Sequence, residues 1–437
     1  MAKLLAFVVM FSLCFLPLIH GGRKIPTRTQ DGSEEWGYVE VRPKAHMFWW
    51  LYKSPYRVED PSKPWPIVLW LQGGPKGYES VSLFFLRKQK GASGVGIGNF
   101  EEVGPLDTGL KPRNLTWLQK ADLLFVDNPV GTGYSFVEDT KLFVKSDLEA
   151  ADDLTTLLEK LFNGDEKLQK SPLFIVAQSY GGKFAFSWGP LLKDVSRLDD
   201  NGLKQAQSLA EKIRQQIQQG QYEEATDSWG ELEDVIYANS NGVDFYNFLL
   251  DSEMDSVSSS TTVLKLSKES VTKRYSRYLS VLRSTPTPGG DDDLDDLMNG
   301  AIKKKLKIIP ENVTWGGQSK GVFLAMQGDF MRPRIDEVDQ LLAKGVNVTI
   351  YSGQLDLICA TKGTEAWVKK LKWEGLQIFL SKDRTPLYCG KGGPTKGFMS
   401  SHQNLHFYWI LGAGHDVPAD QPCVALDMLG HITNSPR

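Results

Sequence analysis

The sequence has almost no excess charge of either sign. It has 50 Lys and Arg residues and 53 Asp and Glu residues, which gives a formal net charge of -3, and no stretch forms a basic arm. Nucleic acids attract proteins through basic surfaces, so this balance argues against a nucleic-acid partner. With 437 residues and 41% hydrophobic content, the chain is long enough to bury a large globular core.

Long hydrophobic runs are also missing, except at the N-terminus. There Lys3 precedes the run LLAFVVMFSLCFLPLI, which Pro17 interrupts and which closes at Gly21 and Gly22. This pattern indicates a secretory signal peptide over residues 1–22. A membrane anchor needs ~20 uninterrupted apolar residues, so we expect a secreted or vacuolar/lysosomal protein without a stable membrane anchor. Sequons for glycosylation in the secretory pathway begin at Asn114, Asn312 and Asn347.

Cysteine is scarce. Cys14 would leave with the signal peptide, so the mature chain keeps Cys359, Cys389 and Cys423. In an oxidising compartment, the simplest expectation is one disulfide and one free thiol. The sequence leaves open which two residues pair, because pairing depends on the distance between them in the fold.

Short apolar runs that end abruptly in polar residues or glycine indicate buried strands of a central sheet. They lie at residues 67–71, 123–126, 173–176 and 348–351. Between them, residues 147–162 place apolar side chains at helical spacing. Alternating strands and helices predict an α/β fold with a largely parallel sheet.

The composition changes between residues 187 and 307. Leu209, Ile213 and Ile217 mark an amphipathic helix, and Gln-rich and Ser-rich stretches with few strand signals follow. We therefore expect a helical insertion within one core. The predicted parts are an N-terminal core part at 23–186, the insertion at 187–307 and a C-terminal core part at 308–437.

Ser179 is a candidate nucleophile. It lies in the segment AQSYG, residues 177–181, directly after a predicted strand. A serine with small neighbours at a sharp strand-to-helix turn is typical of a nucleophile elbow, although serine also occupies such turns as a helix cap. Asp356 and His415 each follow a later predicted strand, so the chain order is serine, aspartate, histidine, as in α/β hydrolases. His415 would take the proton of Ser179 while Asp356 orients the imidazole.

An oxyanion hole commonly combines the backbone N–H after the nucleophile with one from a glycine-rich loop. Tyr180 provides the first position, and the loop WLQGGP at 70–75 is a candidate for the second.

Metal and cofactor sites are not expected. His402 and His406 lie four residues apart, but a glutamate between them and a third ligand are missing. The acidic run TPTPGGDDDLDDL, residues 285–297, lacks the ligand spacing and glycine of a calcium loop. We predict a solvated acidic loop there.

At these residues the chain resembles the serine carboxypeptidase family, and in particular its plant serine carboxypeptidase-like branch. The motifs that carry the resemblance are WLQGGP at 70–75, NFEEVGP at 99–105, DNPVGTGYS at 127–135, SYGG at 179–182, GQLD at 353–356 and GHDVP at 414–418. The resemblance implies an α/β-hydrolase core under a helical cap and release of C-terminal residues from peptides with a free C-terminus.

The same resemblance assigns roles to individual residues. It implies that Ser179, Asp356 and His415 are catalytic and that the backbone N–H groups of Gly74 and Tyr180 are the oxyanion donors. It also implies that the positions of Gln72, Glu102 and Gln178 contact the substrate's free carboxylate.

Three departures from the family pattern bear on activity. Gln178 replaces a glutamate, and an amide donates hydrogen bonds at any pH, so we expect this residue to contribute no acid dependence. Residues 76–90 are inserted after the glycine-rich loop. After Phe186, a helix and a core strand are missing. The alternatives are therefore a catalytically impaired binding or unstable member of the family, or an acyltransferase in which an alcohol resolves the acyl-enzyme.

Overall fold

The computed structural model describes residues 27–58, 63–73, 92–179, 188–251, 291–390 and 392–435. The predicted signal peptide, the 76–90 insertion and the junction at residues 186 and 187 lie outside these ranges. No helix in the described ranges is long and apolar enough to cross a membrane.

The strands form two sheets. In chain order they are β1 (Thr27–Arg28), β2 (Glu34–Arg42), β3 (Ala45–Tyr52), β4 (Ile67–Leu71), β5 (Asp122–Val126), β6 (Phe136–Val137), β7 (Leu173–Ala177), β8 (Val348–Gly353), β9 (Thr385–Tyr388), β10 (Thr395–His402) and β11 (Leu405–Ile410). The first sheet has the order β1-β2-β3-β5-β4-β7, with β6 beside β3, and the second has the order β8-β11-β10-β9.

The predicted strands are present, but the expectation of a largely parallel arrangement is wrong. Parallel pairing joins β4 to β5, β4 to β7 and β8 to β11. The other pairings are antiparallel, including the hairpins that β2 forms with β3 and β10 forms with β11. The parallel pairs nevertheless bring Leu71 level with Ala177, and Gly353 level with Ile410. The residues that follow β4 and β7 therefore lie side by side, and so do the residues that follow β8 and β11.

The sheet is divided where the sequence predicts a missing core strand. Within the described residues, β7 ends the first sheet and β8 begins the second. Ile175, in the middle of β7, is 59% exposed, whereas its paired neighbour Leu69 on β4 is fully buried. The strand that carries the Ser179 turn is therefore an exposed edge.

The helices surround these sheets. They are α1 (Asp147–Phe162), α2 (Glu166–Lys170), α3 (Trp188–Asp194), α4 (Asp200–Gln218), α5 (Tyr222–Asn239), α6 (Asp291–Leu297), α7 (Lys303–Leu306), α8 (Lys320–Phe330), α9 (Ile335–Ala343), α10 (Thr361–Val368), α11 (Leu376–Ser381), α12 (Val417–Asp420) and α13 (Pro422–Thr433). Helix α1 has the predicted bounds, and Ser146 caps it by accepting a hydrogen bond from the Glu149 N–H. Shorter π-helical and 3-10 segments lie at Gly94–Val103, Met298–Ile302, Trp117–Gln119 and Thr140–Leu142.

One hydrophobic core joins the two sheets. It includes Trp70 and Phe125 from the first sheet and Tyr408 and Ile410 from the second. Helices α3, α4 and α5 form a separate core around Trp188 and Trp229. The amphipathic helix predicted around Ile213 is α4, whose Ile213 is fully buried.

The acidic run does not form the predicted solvated loop over residues 291–297. Those residues form helix α6, and Leu294 is buried in the main core. Leu294 and Met298, four residues apart, both pack into that core, which explains why a helix forms here in spite of the acidic run. The preceding part of the run, residues 285–290, lies outside the described residues.

Candidate active site

Ser179 lies just beyond β7 in a strained turn. Its φ angle is +75°, in the left-handed region that residues with a side chain rarely adopt. The Gln178 N–H donates to the Leu71 carbonyl over 3.1 Å, which holds the turn against the end of β4. Such a conformation costs ~1–3 kcal/mol and persists where the surrounding structure imposes it, as at a nucleophile elbow.

Asp356 follows β8 in a tight turn, in which its N–H donates to the Gly353 carbonyl over 3.2 Å. The carboxylate is buried and divides its two oxygens between two partners. Oδ1 accepts the Cys359 N–H at 2.9 Å, and Oδ2 lies 2.9 Å from His415 Nδ1. The backbone contact therefore fixes the carboxylate with Oδ2 facing the imidazole.

His415 follows β11 and is held from the opposite side by residue 246. Its N–H donates to the Tyr246 carbonyl over 2.8 Å, and the two rings meet edge to face at 4.9 Å between centroids. Glycines make this approach possible. A Cβ on Gly353 would lie 2.0 Å from the Gly414 carbonyl oxygen, and a Cβ on Gly414 would lie 2.3 Å from the Tyr246 oxygen.

The environment of His415 favours its charged form. Burial alone lowers the pKa of His415, but the Asp356 carboxylate and the Cys359 side chain raise it more, so the net pKa lies well above the usual value. Because a carboxylate can only accept, Nδ1 carries the proton toward Asp356 and Nε2 is left for a reacting group. The site is thus built to stabilise an imidazolium formed by proton transfer to Nε2.

Cys359 connects Ser179 to the aspartate–histidine pair. Its Sγ lies 3.0 Å from the Ser179 carbonyl oxygen, and the ligand atoms of Asp356, Cys359 and His415 all lie within 4.8 Å of one another. The structure therefore brings together the three residues predicted to be catalytic, at the ends of β7, β8 and β11. Sequence reasoning considered Cys359 only for disulfide pairing, although its position three residues after Asp356 placed it beside the site.

The residues expected to bind a carboxylate form a buried hydrogen-bonded chain. Gln72 Nε2 lies 2.9 Å from Glu102 Oε1 and 2.7 Å from Gln178 Oε1. All three side chains are buried. Gly98 keeps space for this chain, because a Cβ there would lie 3.0 Å from Gln72 Oε1. The structure thus places all three predicted residues together.

The other predicted positions are either outside the described residues or away from this cluster. Gly74 and Tyr180, the expected oxyanion donors, are outside the described residues. His402 lies beside the Trp373 ring, 5.9 Å between centroids, on the hairpin that also carries His406. The sequon residues Asn114, Asn312 and Asn347 are all exposed.

The disulfide joins Cys389 to Cys423, with 6.0 Å between Cα atoms. Cys359 is therefore the free thiol. The pairing connects the end of β9 to α13 and answers the question that the sequence left open.

The sheets, the surrounding helices and a strained serine beside an aspartate–histidine pair define a protein of the α/β-hydrolase class. Within that class, the chain belongs to the serine carboxypeptidase family, whose family model matches residues 26–187 and 187–435. The break between the two matched segments falls at the junction where the sequence predicts that a helix and a core strand are missing.

The relatives cover nearly the whole chain. Serine carboxypeptidase-like 51 of Arabidopsis thaliana is 58% identical, covering 98% of this chain and 99% of the relative. Retinoid-inducible serine carboxypeptidase of Mus musculus is 43% identical, covering 96% of each. The first alignment spans 471 positions, more than the 437 residues of this chain, so the relative has residues without a counterpart here.

A solved structure shows the same fold. It is Kex1Δp, a prohormone-processing carboxypeptidase from Saccharomyces cerevisiae, with a TM-score of 0.69 and 17% identity. The match covers 92% of this chain and 91% of the yeast chain.

Proposed function

We propose that this chain is a serine carboxypeptidase that releases C-terminal residues from peptides, with Ser179 as nucleophile, His415 as general base and acid, and Asp356 as the residue that orients His415. The observation that carries the proposal is the 2.9 Å contact between Asp356 Oδ2 and His415 Nδ1 beside the strained Ser179 turn. Family membership supplies the reaction class.

The proposed reaction has two stages. Ser179 Oγ attacks the carbonyl carbon of the last peptide bond while its proton passes to His415 Nε2, and His415 returns that proton to the leaving amine. The C-terminal amino acid departs and leaves an acyl-enzyme ester. Water then gives a proton to His415, attacks the ester and releases the shortened peptide as Ser179 regains its proton. We assign the oxyanion contacts to the backbone N–H groups of Gly74 and Tyr180.

Selection of the last peptide bond requires a contact to the free terminal carboxylate. We assign this contact to the chain formed by Gln72, Glu102 and Gln178, in which Gln178 directly precedes Ser179. Neutral amide donors pair with a carboxylate without needing a counter-charge. This supports exopeptidase rather than endopeptidase action.

We also assign the protein to the secretory pathway, secreted or in a vacuolar/lysosomal compartment. The N-terminal signal-peptide pattern, three exposed sequon asparagines and the Cys389–Cys423 disulfide support this assignment. Glycosylation at Asn114, Asn312 and Asn347 is part of the same proposal and is tested by a mass shift after removal of N-linked glycans.

The activity is tested on full-length protein expressed with its own leader in a secreting eukaryotic host. The secreted protein is incubated with a peptide that has a free C-terminus and, separately, with the same peptide carrying a C-terminal amide. The products are identified by mass spectrometry. The proposal predicts stepwise loss of single residues from the free-acid peptide and at least ~10³-fold slower loss with Ser179→Ala.

Other outcomes identify the alternatives. Folded protein that never shortens the peptide supports the catalytically impaired member, which the exposed β7 edge at Ile175 favours. Ester formation from an acyl-glucose donor, with little peptide cleavage, indicates the acyltransferase.

A further inference from the structure

A tight loop follows helix α5 and covers residues 244–250; it is named the post-α5 loop here. Asp244 is buried, and its Oδ1 accepts two backbone hydrogen bonds, from the Tyr246 N–H at 2.7 Å and from the Asn247 N–H at 3.3 Å. An aspartate that accepts the N–H groups just after it in the chain fixes the backbone in a turn. The Asp244 N–H closes the loop by donating to the Leu250 carbonyl oxygen over 3.1 Å. The Asp244 side chain therefore sets the direction of the peptide groups that follow it.

The post-α5 loop is hydrogen-bonded to the backbone on both sides of Asp356. The Phe245 carbonyl oxygen accepts the Leu357 N–H at 3.1 Å, and the Phe248 N–H donates to the Leu355 carbonyl oxygen over 3.0 Å. Leu355 and Leu357 are the chain neighbours of Asp356. The loop thus holds the segment that carries the buried carboxylate.

The next carbonyl group of the same loop holds His415. The Tyr246 carbonyl oxygen accepts the His415 N–H at 2.8 Å. Two successive peptide groups of one loop therefore bond to the two segments whose side chains meet at 2.9 Å between Asp356 Oδ2 and His415 Nδ1. A rotation of these peptide groups would move the carboxylate and the imidazole relative to each other.

The far end of the post-α5 loop is anchored away from the catalytic pair. Phe248 is buried in the core that α3, α4 and α5 form. Arg197 Nη2 donates to the Leu250 carbonyl oxygen over 2.8 Å and to Asp251 Oδ1 over 2.6 Å. The turn at Asp244 is therefore the part of the loop that transmits this anchor to the active site.

We propose that Asp244 is a positioning residue of the active site, because the turn that it fixes directs the two carbonyl groups that hold Asp356 and His415. Its importance for peptide cleavage rests on the carboxypeptidase function given above. Asp244 acts only through the backbone of the post-α5 loop. Loss of its acceptor oxygen releases the turn, and a displacement of about 1 Å at a catalytic group lowers the rate by ~10²-fold.

The test compares variants of the full-length secreted protein by two readouts. The first is the rate at which a fluorophosphonate labels Ser179, which falls when the base His415 is displaced. The second is the proton NMR signal of the His415 Nδ1–H, which lies far downfield because the Asp356 carboxylate deshields it, and which is identified by its loss in His415→Ala. We expect Asp244→Ala to be labelled ~10²-fold more slowly and to lose or shift this signal.

Conservative substitutions separate positioning from general stability. Asp244→Asn keeps the Oδ1 acceptor and should be labelled within ~3-fold of the parent's rate, with the Nδ1–H signal in place. In Asp244→Ser the hydroxyl forms the same turn more weakly, so its labelling rate should lie between those of the Asn and Ala variants. This variant takes the place of Asp244→Ala if the latter does not fold.

Asp165→Ala is the matched control. Asp165 Oδ1 accepts the N–H groups of Lys167 and Leu168, two and three residues on, at the start of α2. This turn lies before β7, whereas Ser179 lies after it. The control removes the same kind of turn acceptor, and it should keep the parent's labelling rate and Nδ1–H signal.

The outcomes separate the two proposals. Asp244→Ala with the parent's labelling rate and Nδ1–H signal overturns the positioning role and leaves the hydrolase assignment untouched. Asp244→Asn that is labelled as slowly as Asp244→Ala also overturns it, because the acceptor is retained. A parent that takes no label at Ser179 but shows a signal that Asp244→Ala loses, and that Asp244→Asn and Asp165→Ala keep, supports the positioning role and rejects the hydrolase.

Discussion

Asp127 is a buried carboxyl group directly after β5 that accepts three hydrogen bonds. Oδ1 accepts from Ser93 Oγ at 2.5 Å and from the Val95 N–H at 3.1 Å, and Oδ2 accepts from the Tyr134 N–H at 2.8 Å. Burial raises its pKa to about 7, and the three donors only partly oppose that rise. The folded protein therefore holds a proton at Asp127 that the unfolded chain releases near pH 4.

This proton links stability to pH. Since the pKa is higher in the folded state, the contribution of Asp127 is fully present below about pH 4 and is lost as the pH rises toward about 7. We predict that the free energy of unfolding falls over this window by up to ~4 kcal/mol more in the parent than in Asp127→Asn. Urea unfolding at a series of pH values measures the difference. Parallel pH profiles for the two proteins would contradict the prediction.

The segments that carry Asp356 and His415 pack closely at two glycines, Gly353 and Gly414. Gly353 ends β8 and Gly414 precedes His415, and their neighbours approach to distances that a Cβ does not permit. In Gly414→Ala, the backbone at Tyr246 must move, and with it the 2.8 Å hydrogen bond that holds His415. The geometry of the Asp356–His415 pair depends on this packing.

We predict that Gly414→Ala lowers kcat/KM by ~10²-fold, because displacing a catalytic group by about 1 Å has an effect of that size. Gly328→Ala is the matched control, since Gly328 lies in α8 with no atom within 4 Å of the added Cβ. That control should keep full activity and gain stability by ~0.5–1 kcal/mol. Equal kinetics for parent and Gly414→Ala would show that the close approach is unimportant.

The exposed face of β7 allows a direct test of the divided sheet. If Ile175 is at a surface, Ile175→Lys should change the free energy of unfolding by less than ~0.5 kcal/mol. It should also reduce aggregation, because charged side chains protect strand edges from pairing with other chains. Ile67→Ala on the buried neighbour β4 should cost ~2–5 kcal/mol. A loss of that size at Ile175 would mean that another segment covers the strand.

For the molecule as a whole, local patterns predicted more than long-range arrangements did. The leucine spacing in α1 and the apolar run of β4 were sufficient to predict these two elements, because each pattern lies within a single helix or strand. The pairing of Cys389 with Cys423 depends on a contact between segments 34 residues apart, which no periodicity records. The helix at 291–297 was not predicted, because a run dominated by aspartate indicates a solvated loop and gives no sign that Leu294 is buried.

The candidate site was predictable in its residues but not in its connections. Motifs at strand ends identified Ser179, Asp356 and His415, since the carboxyl ends of parallel strands gather side chains at one edge. The contacts of Gln178 with Asp416 and of Cys359 with Ser179 were not predictable, because they join residues 180 or more positions apart.

A fluorophosphonate probe tests directly whether Ser179 is the nucleophile, because the probe forms a covalent bond only with an activated serine. Secreted, folded protein is labelled, digested and mapped by mass spectrometry, with Ser179→Ala and His415→Ala treated in parallel. We predict one label at Ser179, none in Ser179→Ala and slow labelling in His415→Ala. Folded protein that takes no label at Ser179 would contradict it.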